Sequence, residues 1–121
     1  MKSSDFRDLK VWQKGMDLAR NVYSLCKGFP KDEIHGLTDQ MRRCVVSIPS
    51  NIAEGYGRDT NNEKIRFLFI SLGSSNELET QLILSHDFGY VGDEAFKDAL
   101  KLNTEVNKML SSLIYTLRYP H

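Results

Sequence analysis

Leu37-Thr38-Asp39-Gln40-Met41-Arg42-Arg43-Cys44-Val45-Val46-Ser47-Ile48-Pro49-Ser50-Asn51-Ile52-Ala53-Glu54-Gly55 decides the fold, because it sets a proline inside a helical pattern. From a start between Asp32 and Leu37, apolar residues recur at Ile34, Leu37, Met41, Cys44, Ile48 and Ile52. Steps of three and four are the spacing of one helix face. Gln40, Arg43, Ser47, Ser50 and Glu54 form a separate polar stripe. Pro49 removes a backbone hydrogen bond and crowds the preceding turn, at a cost of ~3 kcal/mol in a regular helix interior. The apolar rhythm resumes at Ile52, which predicts a helix that bends at Pro49 and runs on to about Glu54. Gly55 and Gly57 are the expected stop.

On the N-terminal side, a helix is predicted from about Leu9 to Lys27, with Asp8 as its N-cap. It carries two apolar seams. Leu9, Trp12, Met16, Ala19, Tyr23 and Cys26 make one; Val11, Gly15, Leu18, Val22, Leu25 and Phe29 make the other. Gly28 in a left-handed conformation, Phe29 folded back on Tyr23, and Pro30 are expected to end it. On the C-terminal side, Thr60-Asn61-Asn62-Glu63 matches a capping box and opens a third helix reaching about Phe88. Ile65, Phe67, Leu68, Phe69, Ile70 and Leu72 make its first half apolar on nearly every side, so it is expected to be surrounded. Its small middle, Ser71 to Ser75 with Gly73 inside, admits another backbone, and Gly89-Tyr90 supplies a stop. A fourth helix is predicted from Asp93, its expected N-cap, to Arg118. Ala99, Asn103, Val106, Leu110, Leu113 and Leu117 keep its rhythm.

Four helices with short links predict an all-α fold, an antiparallel up-down-up-down four-helix bundle. The 121 residues make one domain, 1–121. Sixteen basic and sixteen acidic side chains cancel, which excludes a nucleic-acid binder with a uniformly basic surface. No apolar run approaches the ~20 residues of a membrane span, and Met1 to Lys10 is too polar for a signal peptide. A cytoplasmic protein is expected. Cys26 and Cys44 fall at apolar helical positions and read as small hydrophobes. His35, His86 and His121 share no ligand spacing, so no metal or cofactor is expected, and no small-molecule substrate is evident.

Two seams on one helix and an all-round apolar start to another exceed what one bundle can bury. At ~25 cal/mol per Å², leaving them wet would forfeit several kcal/mol. Self-association into a closed homo-oligomeric ring or a dimer is the expected answer, through Val11, Leu18, Val22, Leu25, Phe67 and Phe69. Val22→Asp or Leu25→Asp is then expected to dissociate the oligomer. A bundle with a greasy surface and a partner protein supplying a covering helix are the alternatives.

Three polar groups invite chemistry. The first, Gln40, Arg43, Ser47, Asn51 and Glu54, flanks Pro49. The second, Glu77 and Glu79, is either an acid/base or metal-bridging pair, or one glutamate pairs with Arg42 or Arg43 while the other faces water. Bundle metal sites favour Glu-x-x-His, and here the third residue on is Thr80 or Leu82. In the third, Arg58, Lys64 and Arg66, with Arg42 and Arg43 nearby, either contact phosphates, with Tyr56 as a stacking surface, or form a solvated helix start with Arg58 paired to Glu54. Gly-x-Ser-x-Gly, His-Glu-x-x-His and a phosphate-cradling glycine loop are absent, so nothing argues for an enzyme.

Phe6-Arg7-Asp8-Leu9-Lys10-Val11-Trp12-Gln13-Lys14, Phe29-Pro30, Leu37 to Arg43, Ser47-Ile48-Pro49-Ser50-Asn51-Ile52-Ala53-Glu54-Gly55 and Ser71 to Leu82 together carry a resemblance. From about Phe6 to Leu117 the chain resembles the bacterial four-helix-bundle family named for reading frames in intervening sequences of 23S rRNA genes. That resemblance implies a homopentamer, a largely undefined biochemical role and no established catalytic residues. The family's ribosomal-protein label follows gene location. A related accessory protein of diversity-generating retroelements is similar in fold and binds nucleic acid and a reverse transcriptase through a strongly basic surface, from which this chain departs in its zero net charge. The expected function is a non-enzymatic, oligomeric binding or assembly module, with RNA or a ribonucleoprotein as partner through Arg42, Arg43, Arg58, Lys64 and Arg66. The rival is a protein-only scaffold that engages a partner helix.

Overall fold

The computed structural model describes residues 5–120; His121 and the first residues of the polar N-terminal stretch lie outside them. Four helices, α1 (Lys10–Cys26), α2 (Leu37–Tyr56), α3 (Asn61–Asp87) and α4 (Asp93–Arg118), pack around one apolar core, with no strand among the described residues. α1 packs on α2 and α4, and α3 packs on the same two.

The entry to α1 differs from expectation. Asp8 lies in a short 3-10 turn, Phe6–Asp8, and the N-cap position falls on Leu9. Asp5 makes the turn instead, its carboxylate accepting the Arg7 N–H at 2.9 Å, and Phe6 sets its ring edge against Trp12. The exit differs too. Gly28 is not left-handed; Lys27, Gly28 and Phe29 donate to carbonyls three residues back, so the last turn simply tightens. Phe29 is buried against Tyr90, 5.4 Å between ring centres, and Tyr23 stays exposed.

α2 passes through Pro49 without a break, as its rhythm predicts. Gly15 of α1 lies beneath the proline: a Cβ there would sit 3.5 Å from Pro49 Cβ. Ile34, expected on the apolar face, precedes the helix and is 47% exposed. The helix starts at Leu37, whose N–H donates to the Glu33 carboxylate at 3.0 Å. The other oxygen of Glu33 accepts the Tyr90 hydroxyl at 2.8 Å, joining the two connections at that end of the molecule. Gly55 does not end α2. It is buried inside it, and Gly57 takes the C-cap.

α3 begins as expected, with Glu63 N–H donating to Thr60 Oγ1 at 3.2 Å. It ends on Gly89 at φ +78°, with Tyr90 N–H bonded to Ser85 O and Gly89 N–H to His86 O. Such a left-handed stop satisfies carbonyls that the last turn leaves free. Ser71 and Ser75 are fully buried and let the neighbours close in: Ser71 donates to Ile48 O at 2.8 Å, Ser75 to Asn103 Oδ1 at 2.9 Å. Asn103 returns a bond to Ser75 O at 3.0 Å, so the one polar residue in α4's stripe is buried and satisfied. Asp93 is the first residue of α4, and the N-cap position is Gly92. The carboxylate of Asp93 turns to His86 instead, at 2.6 Å.

Candidate functional site

The stretch 47–55 works as a joint. Ser47 Oγ meets Ser74 Oγ at 2.9 Å, and Asn51 Nδ2 donates to both the carbonyl and the hydroxyl of Ser47. Ile48 offers its carbonyl to Ser71, Pro49 rests on Gly15, and Ile52 fills the core. At Gly55 a Cβ would stand 3.0 Å from Phe67 Cβ and 3.2 Å from Lys64 O. Of the polar stripe beside Pro49, Ser47 is spent on α3 and Asn51 braces Ser47 from within α2, while Arg43 and Glu54 pair locally with Asp39 and Arg58.

The five basic residues divide into two groups. Arg58, after α2, and Arg66, on α3, lie over the Phe67 ring at 4.6 and 5.0 Å from its centre. Lys64 lies 5.4 Å from the Tyr56 ring centre and donates to Tyr56 O at 2.9 Å, covering a carbonyl at the end of α2. Arg42 and Arg43 are fourteen and thirteen residues before Tyr56 on α2, roughly 20 Å away at 1.5 Å per residue. Arg42 covers the Tyr23 ring at 5.3 Å, and Arg43 pairs with Asp39 at 3.0 Å. Acids accompany the corner as well: Arg58 pairs with Glu54 at 2.7 Å and Arg66 with Glu63 at 3.7 Å. With Asp59, three carboxylates match three cations over residues 54–66.

Glu77 and Glu79 are both exposed, and neither meets Arg42 or Arg43 in an ion pair among the described residues. Glu77 instead neighbours Cys44, whose thiol donates to Ser74 O at 3.0 Å. Burial, with the Glu77 charge added, pushes that thiol up to about 12, which keeps it in its unreactive protonated form. Burial raises Cys26 in the same direction. Among the described residues, no cluster of His, Cys, Asp and Glu could hold a metal ion. No described helix is long and apolar enough to cross a membrane.

The expected contact residues are placed differently from expectation. Val11, Leu18 and Val22 are 5, 0 and 0% exposed within a single chain. That seam is the core face of α1, so it is closed to a second copy, and Val22→Asp would strike the fold itself. Leu25 and Phe67 are half-buried; Phe69 is open. The open apolar surface lies chiefly on the outer side of α3. Phe69, Ile70, Ile83 and Leu84 are 39–45% exposed there, and a Cβ on Gly73 would meet nothing within 4 Å. Ile70, Ile83 and Leu84 were legible as residues outside α3's core rhythm of Ile65, Leu68, Leu78 and Leu82.

These features define a small all-α protein of four helices with an open apolar helix face and a basic–aromatic corner. Residues 7–112 match the family model described as 23S rRNA-intervening sequence protein, and the chain belongs to that family. A solved structure from Bacteroides thetaiotaomicron VPI-5482, described as a protein with unknown function from the S23 ribosomal protein family, is 30% identical. It matches with a TM-score of 0.79 over 86% of this chain and 97% of its own. Among curated proteins, none matches the sequence. These matches indicate no enzyme family.

Proposed function

We propose that the chain is a non-enzymatic assembly module of the cytoplasm. Its copies are up-down-up-down antiparallel bundles that associate through the outer face of α3 into a closed homo-oligomeric ring. The contact pairs support the antiparallel arrangement: Met41 meets Ser85 while Tyr56 meets Lys64, and Asn61 meets Leu117 while His86 meets Asp93. The observation that carries the ring is the α3 face itself, with Phe69, Ile70, Ile83 and Leu84 open around Gly73. An apolar helix face of this length is a docking surface, and a non-reciprocal contact whose rotation closes produces a ring. Five copies is the number that the family resemblance implies. Light scattering tests it: Ile70→Asp with Leu84→Asp is expected to reduce the mass to one chain with helicity retained. A wild-type protein already at one chain's mass at high micromolar concentration rejects the ring.

RNA is the second reading, favoured by two guanidiniums, Arg58 and Arg66, lying over the Phe67 ring, a cationic corner with an aromatic surface. Its local charge balance makes one copy weak, and a ring repeating the corner would add avidity. Anisotropy titration of the oligomer against a structured rRNA fragment, at several salt concentrations, tests it. Affinity falling linearly in log–log salt, and lost in Arg58→Ala with Arg66→Ala, supports this reading. Absence of binding at low salt leaves the protein-only scaffold.

A further inference from the structure

Of the four packed helix pairs, α1 and α4 share the least extensive contact, and they leave a shallow open groove of about 470 Å³. Leu9, Val11, Met109 and Leu113 supply its apolar lining, and Lys10 and Lys108 stand at its edges. The next lysine along α1, Lys14, is held by Glu105 of α4 at 3.1 Å. Lys10 and Lys108 have no ion pair among the described residues, so the groove is apolar within and cationic at the rim. Leu9 and Leu113 also line a second, smaller and mostly apolar cavity of about 170 Å³ that extends toward Ile52, Leu68 and Leu117, with Tyr56 and Lys64 at its wall. A cavity of about 150 Å³ lined by aliphatic residues holds one benzene-sized group, so the smaller space has the volume of a single bulky side chain.

We propose that the α1–α4 groove docks an acidic amphipathic helix of a partner protein, with one bulky apolar side chain seated in the cavity behind Leu9 and Leu113. The groove's part of α4, Lys108 to Thr116, spans roughly 12 Å at 1.5 Å per residue. That is two turns, enough for apolar side chains at i, i+3 or i+4, and i+7 of a docked helix. Carboxylates flanking those anchors would meet Lys10 and Lys108. A nucleic acid fits less well: the groove lining offers no aromatic ring for a base and only two cations for a backbone, and the ring at the cavity wall, Tyr56, is already covered by Lys64. The α3 ring contact is a separate surface, so this docking site does not depend on it.

The test is fluorescence polarisation of the intact protein with two labelled 18-residue helical peptides. Both carry Leu, Leu and Trp on one face; one has Glu beside that face, the other Lys. The acidic peptide is expected to bind at least tenfold more tightly than the basic one. Lys10→Glu with Lys108→Glu, both at exposed positions, is expected to cost the acidic peptide at least tenfold and to reverse the preference, with the unfolding midpoint unchanged. Leu113→Trp, which fills the cavity, is expected to weaken both peptides. Equal affinities, absence of binding at 1 mM, or indifference to charge reversal overturns the proposal. A fall in oligomer mass on charge reversal overturns it as well, by assigning the groove to a second copy. Ile70→Asp with Leu84→Asp is expected to leave acidic-peptide affinity per chain unchanged, so failure here and failure of the ring are read on different variants.

Discussion

The α2–α3 joint and the α1–α4 seam are both contacts between neighbouring helices of one small protein, and they are closed by different means. At the joint, small residues bring backbones together, and hydroxyls and a thiol spend themselves on the opposite helix: Ser47 on Ser74, Ser71 on Ile48 O, Cys44 on Ser74 O. Gly55 lets Lys64 and Phe67 approach to distances that a Cβ would contest. At the seam, the side-chain tie among the described residues is one exposed ion pair, Lys14 to Glu105, worth ~0–1 kcal/mol, beside an apolar groove. The Ser47–Gly55 motif therefore holds the fold, whereas the motif residues Leu9, Lys10 and Val11 line a groove that the chain itself leaves open.

Gly55 breaks the comparison most sharply. Gly55→Ala must push α2 from α3, since Lys64 O is backbone and Phe67 Cβ is fixed to it. Overpacking of this kind costs ~1–3 kcal/mol, and the better helix propensity of alanine returns at most about 1 kcal/mol. Urea unfolding is expected to show a net loss of about 1 kcal/mol, the middle of the ~0–2 kcal/mol that the two effects leave. A neutral result would mean that the joint is looser than its distances indicate.

Gly73→Ala is the control, with the opposite sign. The position is helical, exposed and clear of neighbours within 4 Å, so alanine should stabilise the isolated chain by about 0.5–1 kcal/mol. Measured by the same denaturation at low concentration, a loss in stability would contradict the open outer face. A gain there, combined with a weaker oligomer in light scattering, would place Gly73 at the close approach between copies.

Local signals were legible in the sequence and long-range ones were not. Thr60 with Glu63, Gly89 with Tyr90, and the resumption of rhythm after Pro49 are each decided within a few residues, and all three are where the pattern puts them. Asp8 and Gly28 failed because another local solution was at hand: Asp5 capped the turn first, and a tightened last turn ended α1 without a left-handed residue. The two seams of α1 are equivalent by spacing. Only the placement of α2 and α4 buries Val11, Leu18 and Val22 and leaves Trp12, Met16 and Ala19 half-covered. The site residues follow the same rule. Arg58, Lys64 and Arg66 are close in sequence and come together, and Arg42 and Arg43 are held away by the length of α2. Glu33 meeting Tyr90 carries no sequence signal at all, because 57 residues separate them.

That last contact gives the smallest expected effect and a pH signature. The Leu37 N–H and then the Tyr90 hydroxyl hold the Glu33 carboxyl below its usual range, while the charged Glu33 oxygen raises Tyr90. A carboxyl whose folded-state pKa is depressed contributes stability that is present above its unfolded value and is lost as pH falls through the folded one. A phenol whose folded-state pKa is raised contributes stability that is present below its unfolded value and is lost as pH rises through the folded one. The clip between the two connections is therefore expected to contribute fully near neutrality and to fade at both extremes. Glu33→Gln should lower the melting temperature slightly at pH 7, and that difference should shrink as pH falls below 4.5, the ordinary value for a glutamate. Gly36→Ala offers a check that keeps the glutamate, because a Cβ there would stand 2.5 Å from Glu33 Oε1 and displace it from Leu37. Its effect should have the same sign and the same fading toward acid. A difference that persists unchanged at pH 3 in both variants would mean that the connections are held by Phe29 against Tyr90, and that the carboxylate only decorates an apolar contact.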